Sequence, residues 1–141
     1  MTIQALGMIF LAASVTTTAI AQNGKPDPSA EPMPLCTVLA NASTYDGKEI
    51  TVRGLHYRVI HGSILRGPTC DGKANLRLSQ DWKADKQTIK LLNSRSRHDQ
   101  ATEIALRGTF RVAQQGQCFG QTCSPYEIEE HMLLSAKIPD K

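Results

Sequence analysis

Arginines in stretches of alternating polar and apolar residues are the strongest candidates for chemistry in this chain. Alternation places their side chains on the face of each strand opposite to the apolar residues. Opposite side chains on neighbouring strands are about 5 Å apart, and guanidinium groups fork onto carboxylate, phosphate or sulfate. In the alternative interpretation, Glu49 and Glu103 on the same strands neutralise the arginines. The candidate binding residues are these arginines and one aromatic residue: Arg53, Arg58, Arg77, Arg107, Arg111 and Phe119.

The cysteines Cys36, Cys70, Cys118 and Cys123 are even in number, which indicates two disulfides in an exported protein. Four cysteines allow about three pairings. We favour Cys118–Cys123, which closes a tight loop, and Cys36–Cys70, which ties the start of the domain to a distant turn. The rival is a zinc site, but the two closely spaced cysteine pairs of the usual zinc sites are absent from the sequence.

Motifs of known catalytic sites are missing. The sequence has no H-E-x-x-H motif, no nucleophile elbow and no phosphate-binding glycine loop. We therefore expect no catalytic residue, no metal and no cofactor, and we interpret the histidines as ordinary surface residues. The histidines are His56, His61, His98 and His131.

Glu130 is an exception among the charged residues, because it shares the parity of the apolar residues around it. It is therefore either buried or placed at a strand bulge. A buried carboxylate needs a partner, which Arg53, Arg58 or Arg107 could supply. We favour a bulge or a structural ion pair over a catalytic role.

Single-stranded nucleic acid would need a basic groove interleaved with exposed aromatic rings. The segment from Lys73 to Arg111 is richer in Lys and Arg than in Asp and Glu, and the net charge is +3. However, Tyr57, Phe110 and Tyr126 are at positions of inward parity. Phe119, between the cysteines of the tight loop, is the ring that we expect to be displayed. One ring is not a stacking platform, so nucleic acid is a disfavoured partner.

The N-terminal residues predict export. Residues 1–21 have no charged side chain and combine a short apolar run with a small-x-small ending, which is typical of a signal peptide. After its removal we expect no stable membrane span. Residues 22–34 contain four prolines and predict a flexible tether. Residues 35–141 suit one small domain in the periplasm or outside the cell.

The phrases EITVRG (49–54) and EIALRG (103–108) each open a predicted strand. In the first, apolar alternation resumes one residue late after Gly54, with Leu55, Tyr57 and Val59, which predicts a β-bulge or a sharp bend. In the second, strict parity puts Gly108 on the inner face. Leu35–Asn41 predicts a short helix, and Ser79 or Asp81 could cap a longer helix that carries Trp82, Ile89 and Leu92. The last strand would bury Met132, Leu134 and Ala136.

The predicted order, three strands, a helix and two strands, resembles the oligonucleotide/oligosaccharide-binding (OB) fold, a mainly β, five-stranded Greek-key barrel. The run LANASTYDGKEITVRG is similar to the start of small exported bacterial OB-like proteins without an assigned activity. The resemblance implies a helix between strands three and four, with a short N-terminal helix before the barrel. It also implies that the two repeated phrases lie antiparallel, side by side.

Together these patterns indicate an exported, non-enzymatic binding module. Its expected partner is an anionic glycan, a cell-wall fragment or another envelope protein, bound by the outward arginines and the Cys118–Cys123 loop. The alternative is a single-stranded nucleic-acid-binding protein of the same fold. A small hydrolase with a site that no motif reveals is the third hypothesis.

Overall fold

A computed structural model of the chain describes residues 30–95 and 100–140. The predicted signal peptide, most of the predicted tether and His98 lie outside the described residues. The fold is mainly β, a six-stranded mixed sheet with three helices. In chain order the elements are β1 (Met33–Pro34), α1 (Leu35–Ala40), α2 (Ala42–Tyr45), β2 (Glu49–Val59), β3 (Gly62–Arg66), β4 (Lys73–Lys83), α3 (Lys86–Ser94), β5 (Thr102–Val112) and β6 (Tyr126–Lys137).

The five longer strands form a ring of hydrogen-bonded neighbours. The sheet order is β2-β3-β4-β6-β5, and β5 also pairs with β2. The β2–β5 ladder is antiparallel from Glu49, opposite Thr109, to His56, opposite Thr102, so the two repeated phrases do lie side by side. β4 and β6 are parallel, and the other pairs in the ring are antiparallel. The sixth strand, β1, is a two-residue addition that runs parallel to Val52 and Arg53.

The core occupies most of the interior of the ring and extends to α1. Phe110 is fully buried, as its inward parity predicted, and it stacks on Tyr126 with the ring centroids 5.7 Å apart. Burying such side chains is the main favourable contribution to folding, about 1.5–3 kcal/mol for each large apolar side chain. The core comprises Leu35, Val38, Ile50, Val52, Leu65, Ala74, Leu76, Ile104, Leu106, Phe110, Ile128 and Leu133.

Of the two alternatives predicted for Gly54, a β-bulge or a sharp bend, the bulge is wrong and the bend stays a prediction. The β2–β5 ladder passes Gly54 without a shift in register. The alternation that starts at Ile50 therefore continues through Gly54 to His56, and Leu55 and Tyr57 lie on the other face of β2. Glycine is needed at position 54 because the backbone of β3 lies close to it: an added Cβ would be 2.8 Å from the carbonyl oxygen of Arg66. At this point the second partner of β2 changes from β1 to β3.

The helix after β4 exists, but it begins later than predicted. β4 continues to Lys83, which pairs with Met132 of β6, so Trp82 belongs to the strand rather than to the helix. The N-cap of α3 is Asp85, whose side chain accepts hydrogen bonds from the backbone amides of Gln87 and Thr88, both at 2.9 Å. The hydrogen bonds from Thr88 lower the pKa of Asp85. Neither predicted cap, Ser79 or Asp81, is used.

β6 changes its parity along its length because its register against β5 shifts twice. The first irregularity lies between the pairings of Glu130 and Met132, and the second between those of Leu133 and Ser135. Leu133 is consequently buried, whereas Leu134, which we expected inside, is 36% exposed. Glu130 is both buried and next to a register shift, so the two alternatives considered for it occur together.

The N-terminal part is held to the ring by a disulfide and a turn. The predicted short helix is α1, and the amide of Asn41 at its end donates to Val38. Cys36 and Cys70 form a disulfide with their Cα atoms 5.9 Å apart. The turn before β2 uses Gly47 at a φ of 73°, which glycine adopts without steric cost. Among residues 30–95 and 100–140, no helix is long and apolar enough to span a membrane.

Candidate functional site

The outer face of β4, β5 and β6 carries two of the candidate arginines in an ion-pair cluster. Arg77 contacts Glu127 at 3.2 Å and Glu129 at 2.9 Å, and Arg111 contacts the same oxygen of Glu129 at 2.8 Å. Two guanidinium groups thus face two carboxylates. The alternative from the sequence was neutralisation by Glu49 and Glu103, whereas Glu127 and Glu129 neutralise this pair of arginines.

The glutamates that do so are not the ones considered from the sequence. Glu103 pairs with Lys137 at 3.3 Å. Glu127 is 7% exposed and also accepts a hydrogen bond from Asn75 at 3.2 Å. Because such contacts are made between β4 and β6, which are distant in sequence, the local pattern of each strand could not show them.

Thr51, Arg53 and Arg107 form a second group on the outer face, which we call the Arg53–Arg107 patch. Thr51 pairs with Arg107 across the β2–β5 ladder, and Arg53 is two residues along β2 on the same face. The hydroxyl oxygen of Thr51 and the Nε atom of Arg107 are both buried, and neither has a hydrogen-bond partner among the described residues. Arg53 reaches Glu31 at 4.0 Å, and the Glu31 side chain is 84% exposed.

A cavity of about 570 Å³, which we call the α3 cavity, lies beside α3 at one end of the ring. Leu78 pairs with Glu130 on the inward face of β4 and β6, yet Leu78 is 58% exposed because this end of the interior is not filled. The apolar lining of the α3 cavity includes Leu76, Leu78, Ile89, Leu92, Ile104 and Leu133. The cavity is thus an unfilled extension of the core.

The polar side chains that line the same cavity are those of His56, Arg58, Ser63, Trp82, Asn93 and Glu130. Trp82 Nε1 donates a hydrogen bond to Glu130 Oε1 at 2.6 Å. Burial raises the pKa of Glu130, and the hydrogen bond from Trp82 opposes this effect. Burial, assisted by the positive charge of Arg58, lowers the pKa of His56 to about 4. His56 is therefore a neutral imidazole at neutral pH.

Arg58 and His56 differ from their predicted roles. Arg58 lines the α3 cavity rather than joining the outward arginines, since it follows His56 at the same parity of β2. His56 is half-buried instead of an ordinary surface residue. The sequence did contain a usable signal, because unbroken alternation from Ile50 would have placed His56 on the inner face.

The Cys118–Cys123 loop forms the second predicted disulfide, with the Cα atoms 4.9 Å apart. Phe119 is half-buried rather than displayed, and its backbone bonds to Ser124 in both directions at 2.7 and 3.0 Å. Lys73 Nζ donates to the carbonyl oxygen of Thr122 at 3.0 Å, and the Ser124 hydroxyl donates to that of Lys73 at 2.9 Å. These contacts fix the loop against the start of β4.

Nucleophilic catalysis would need a hydroxyl hydrogen-bonded to a base. Ser63 lines the α3 cavity together with His56 and Glu130, but within the described part of the chain no hydrogen bond joins these three residues. A neutral imidazole and a buried carboxyl can instead exchange hydrogen bonds with a bound molecule.

Among the described residues, no group of three or more His, Cys, Asp or Glu is placed to hold a metal ion.

In comparisons with known proteins, no family model matches the chain and no curated protein matches it.

Proposed function

We propose that this chain is an exported, non-enzymatic binding module built on an OB-like barrel. The ring order β2-β3-β4-β6-β5, the parallel β4–β6 pair and the helix between β4 and β5 support this fold. β1 is then an addition to five barrel strands. The two disulfides are compatible with an oxidising compartment, and they support a periplasmic or secreted location.

The proposed ligand is an anionic group that binds the Arg53–Arg107 patch. A sulfate, phosphate or carboxylate of a glycan, a cell-wall fragment or an envelope protein would supply it. The observation that carries the proposal is the pair of buried, unpartnered polar atoms, Thr51 Oγ1 and Arg107 Nε. A buried polar atom without a partner costs about 1–3 kcal/mol. A change of side-chain rotamer that exposes both atoms to an oxyanion would recover that free energy.

Arg53 adds a second guanidinium to the patch. Its contact with the exposed Glu31 is long, and exposed ion pairs contribute only about 0–1 kcal/mol, so a ligand oxyanion can replace Glu31 at little cost. Arg77 and Arg111 do not have this freedom, since both contact Glu129 at less than 3 Å.

The test compares two double variants that lose the same charge from the same outer face. Arg53→Gln/Arg107→Gln removes the patch, whereas Arg77→Gln/Arg111→Gln removes the arginines held by glutamates. The probe is a sulfated oligosaccharide, and its affinity is measured by titration calorimetry at low salt. We expect the patch variant to lose roughly 10²- to 10⁴-fold in affinity, because each of the two lost charge-assisted hydrogen bonds contributes about 1.5–3 kcal/mol, and the control to lose little.

Equal losses of affinity in both double variants would refute binding at the Arg53–Arg107 patch, because they would show that only the total positive charge attracts the probe. The nucleic-acid alternative is tested with an oligothymidylate under the same conditions. Tighter binding of that probe, with affinity falling steeply as salt rises, would favour a nucleic-acid-binding protein over the proposed function. Thermal melting of both variants checks that the fold is intact.

A further inference from the structure

The α3 cavity is separate from the Arg53–Arg107 patch, because one is inside the ring and the other on its outer face. We propose that the α3 cavity is a second binding site, and that it takes an uncharged, mainly apolar small molecule with one hydrogen-bonding end. This inference goes beyond the anionic ligand of the proposed function and does not depend on it.

Leu78 lies in the unfilled part of the interior. It points into the ring with Leu76, which is 8% exposed, but Leu78 itself is 58% exposed. On α3, Ile89 and Leu92 face the cavity and are only half-buried. An inward-facing leucine normally loses its contact with water when the core forms, and here that contact remains. An apolar ligand would complete the burial.

The size of the cavity supports a small molecule. Sites for small molecules usually have volumes of about 300–1,000 Å³, and they combine apolar walls with a few polar groups. The α3 cavity has about 570 Å³ and this composition. Ile60, at the end of β2, lines the same cavity and is 79% exposed, which adds apolar surface for the ligand.

The polar side chains of the cavity determine which chemical group the ligand can have at its hydrogen-bonding end. Glu130 Oε1 already accepts the indole N–H of Trp82, so the second carboxyl oxygen of Glu130 and the ring nitrogens of His56 are the groups offered to a ligand. An anionic end would have to lose its water beside the buried carboxyl of Glu130, which is unfavourable. Arg58 also lines the cavity, but it is exposed, so water and salt screen its positive charge. A hydroxyl or an amide can donate and accept there without placing a charge in the cavity.

Trp82 makes the proposal directly measurable, since it is the one tryptophan of the chain and lines the cavity. The probe is N-phenyl-1-naphthylamine, an uncharged apolar fluorophore that accepts energy from tryptophan. It is compared with 1-anilinonaphthalene-8-sulfonate, which has the same rings and a sulfonate. With the disulfide-bonded full chain we expect saturable energy transfer from Trp82 to the uncharged probe, and about tenfold weaker binding of the sulfonate.

A matched pair of variants locates the probe. Leu78→Gln changes the cavity wall, and Ile138→Gln changes an equally exposed apolar residue, at 57%, that does not line the cavity. We expect Leu78→Gln to lower the affinity for the uncharged probe about tenfold, and Ile138→Gln to leave this affinity unchanged. The Arg53→Gln/Arg107→Gln variant should keep full binding of this probe even if the proposed function fails.

Three results would overturn the proposal. The first is an absence of saturable energy transfer, and the second is tighter binding of the sulfonate than of the uncharged probe. The third is a dimer in sedimentation analysis that Leu78→Gln dissociates, because a second copy of the chain would then cover the cavity.

Discussion

Replacing His56 by glutamine should change how the stability of this protein depends on pH. His56 is half-buried on the inner face of β2, and burial is the larger cause of its lowered pKa, with the charge of Arg58 second. Glutamine keeps hydrogen-bonding capacity but does not titrate in this range. The variant therefore removes the proton uptake and keeps the shape of the cavity wall approximately.

Because the pKa of His56 is lowered in the folded protein, the free energy of unfolding decreases as the pH falls. The pKa of His56 is about 4 in the folded protein and 6.5 by the ordinary value, so the unfolded chain binds the proton first as the pH falls. The free energy of unfolding contributed by this group therefore decreases from pH 6.5 to pH 4 and is constant below pH 4. Because one pKa unit corresponds to about 1.36 kcal/mol, the decrease amounts to about 3 kcal/mol.

Urea unfolding of the wild-type protein and of His56→Gln between pH 7.5 and pH 4 measures this difference. We expect the two free-energy curves to separate by about 3 kcal/mol across the window, with the wild-type protein falling more steeply. Arg58→Gln should make the wild-type fall smaller without abolishing it, since burial remains. Parallel curves for wild type and His56→Gln would refute the placement of His56 inside the ring.

Other variants test the remaining contacts. Replacing both cysteines of a disulfide by serine should lower the free energy of unfolding by about 4 kcal/mol for Cys36–Cys70 and by about 2 kcal/mol for Cys118–Cys123, because the first disulfide closes the longer loop. Urea unfolding measures both losses, and a larger loss for Cys118–Cys123 would contradict this prediction. Gly108→Ala should destabilise the fold by roughly 1–3 kcal/mol, since an added Cβ would collide with the carbonyl oxygen of Glu129, and an unchanged melting temperature would argue against that packing. Trp82→Phe should raise the pKa of Glu130 further, because the indole hydrogen bond lowers it; carbon-detected NMR titration of the carboxyl would show this, and a fall would contradict the assignment.

The sequence predicted the pairing of elements better than the orientation of side chains. The mainly β fold, the helix after the third long strand, the antiparallel repeated phrases and both disulfides were all accessible from patterns of residue type. The error at Gly54 had a simple cause. The apolar residues Leu55, Tyr57 and Val59 suggested a core face, but this part of β2 has partly buried side chains on both faces, so hydrophobicity did not identify the interior.

The candidate sites depended on contacts that no local pattern encodes. Arg77 and Arg111 satisfied the same rule of alternation as Arg53 and Arg107, and only the position of β6 between β4 and β5 separates the two pairs. The register shifts in β6 similarly decided that Leu133 rather than Leu134 is buried. Strand shifts of this kind arise from three-dimensional packing, which a single sequence does not show.

The place of β6 in the ring has a consequence for the order of folding. β6 is the last strand among the described residues, yet it lies between β4 and β5 and forms hydrogen bonds with both. Before residues 126–137 are present, β4 and β5 each have an unpaired edge, and such edges are sites of aggregation. The ring can therefore close only after β6 has been synthesised. A chain that crosses a membrane unfolded and folds on the far side would have β6 available when closure begins, without a long period with open edges.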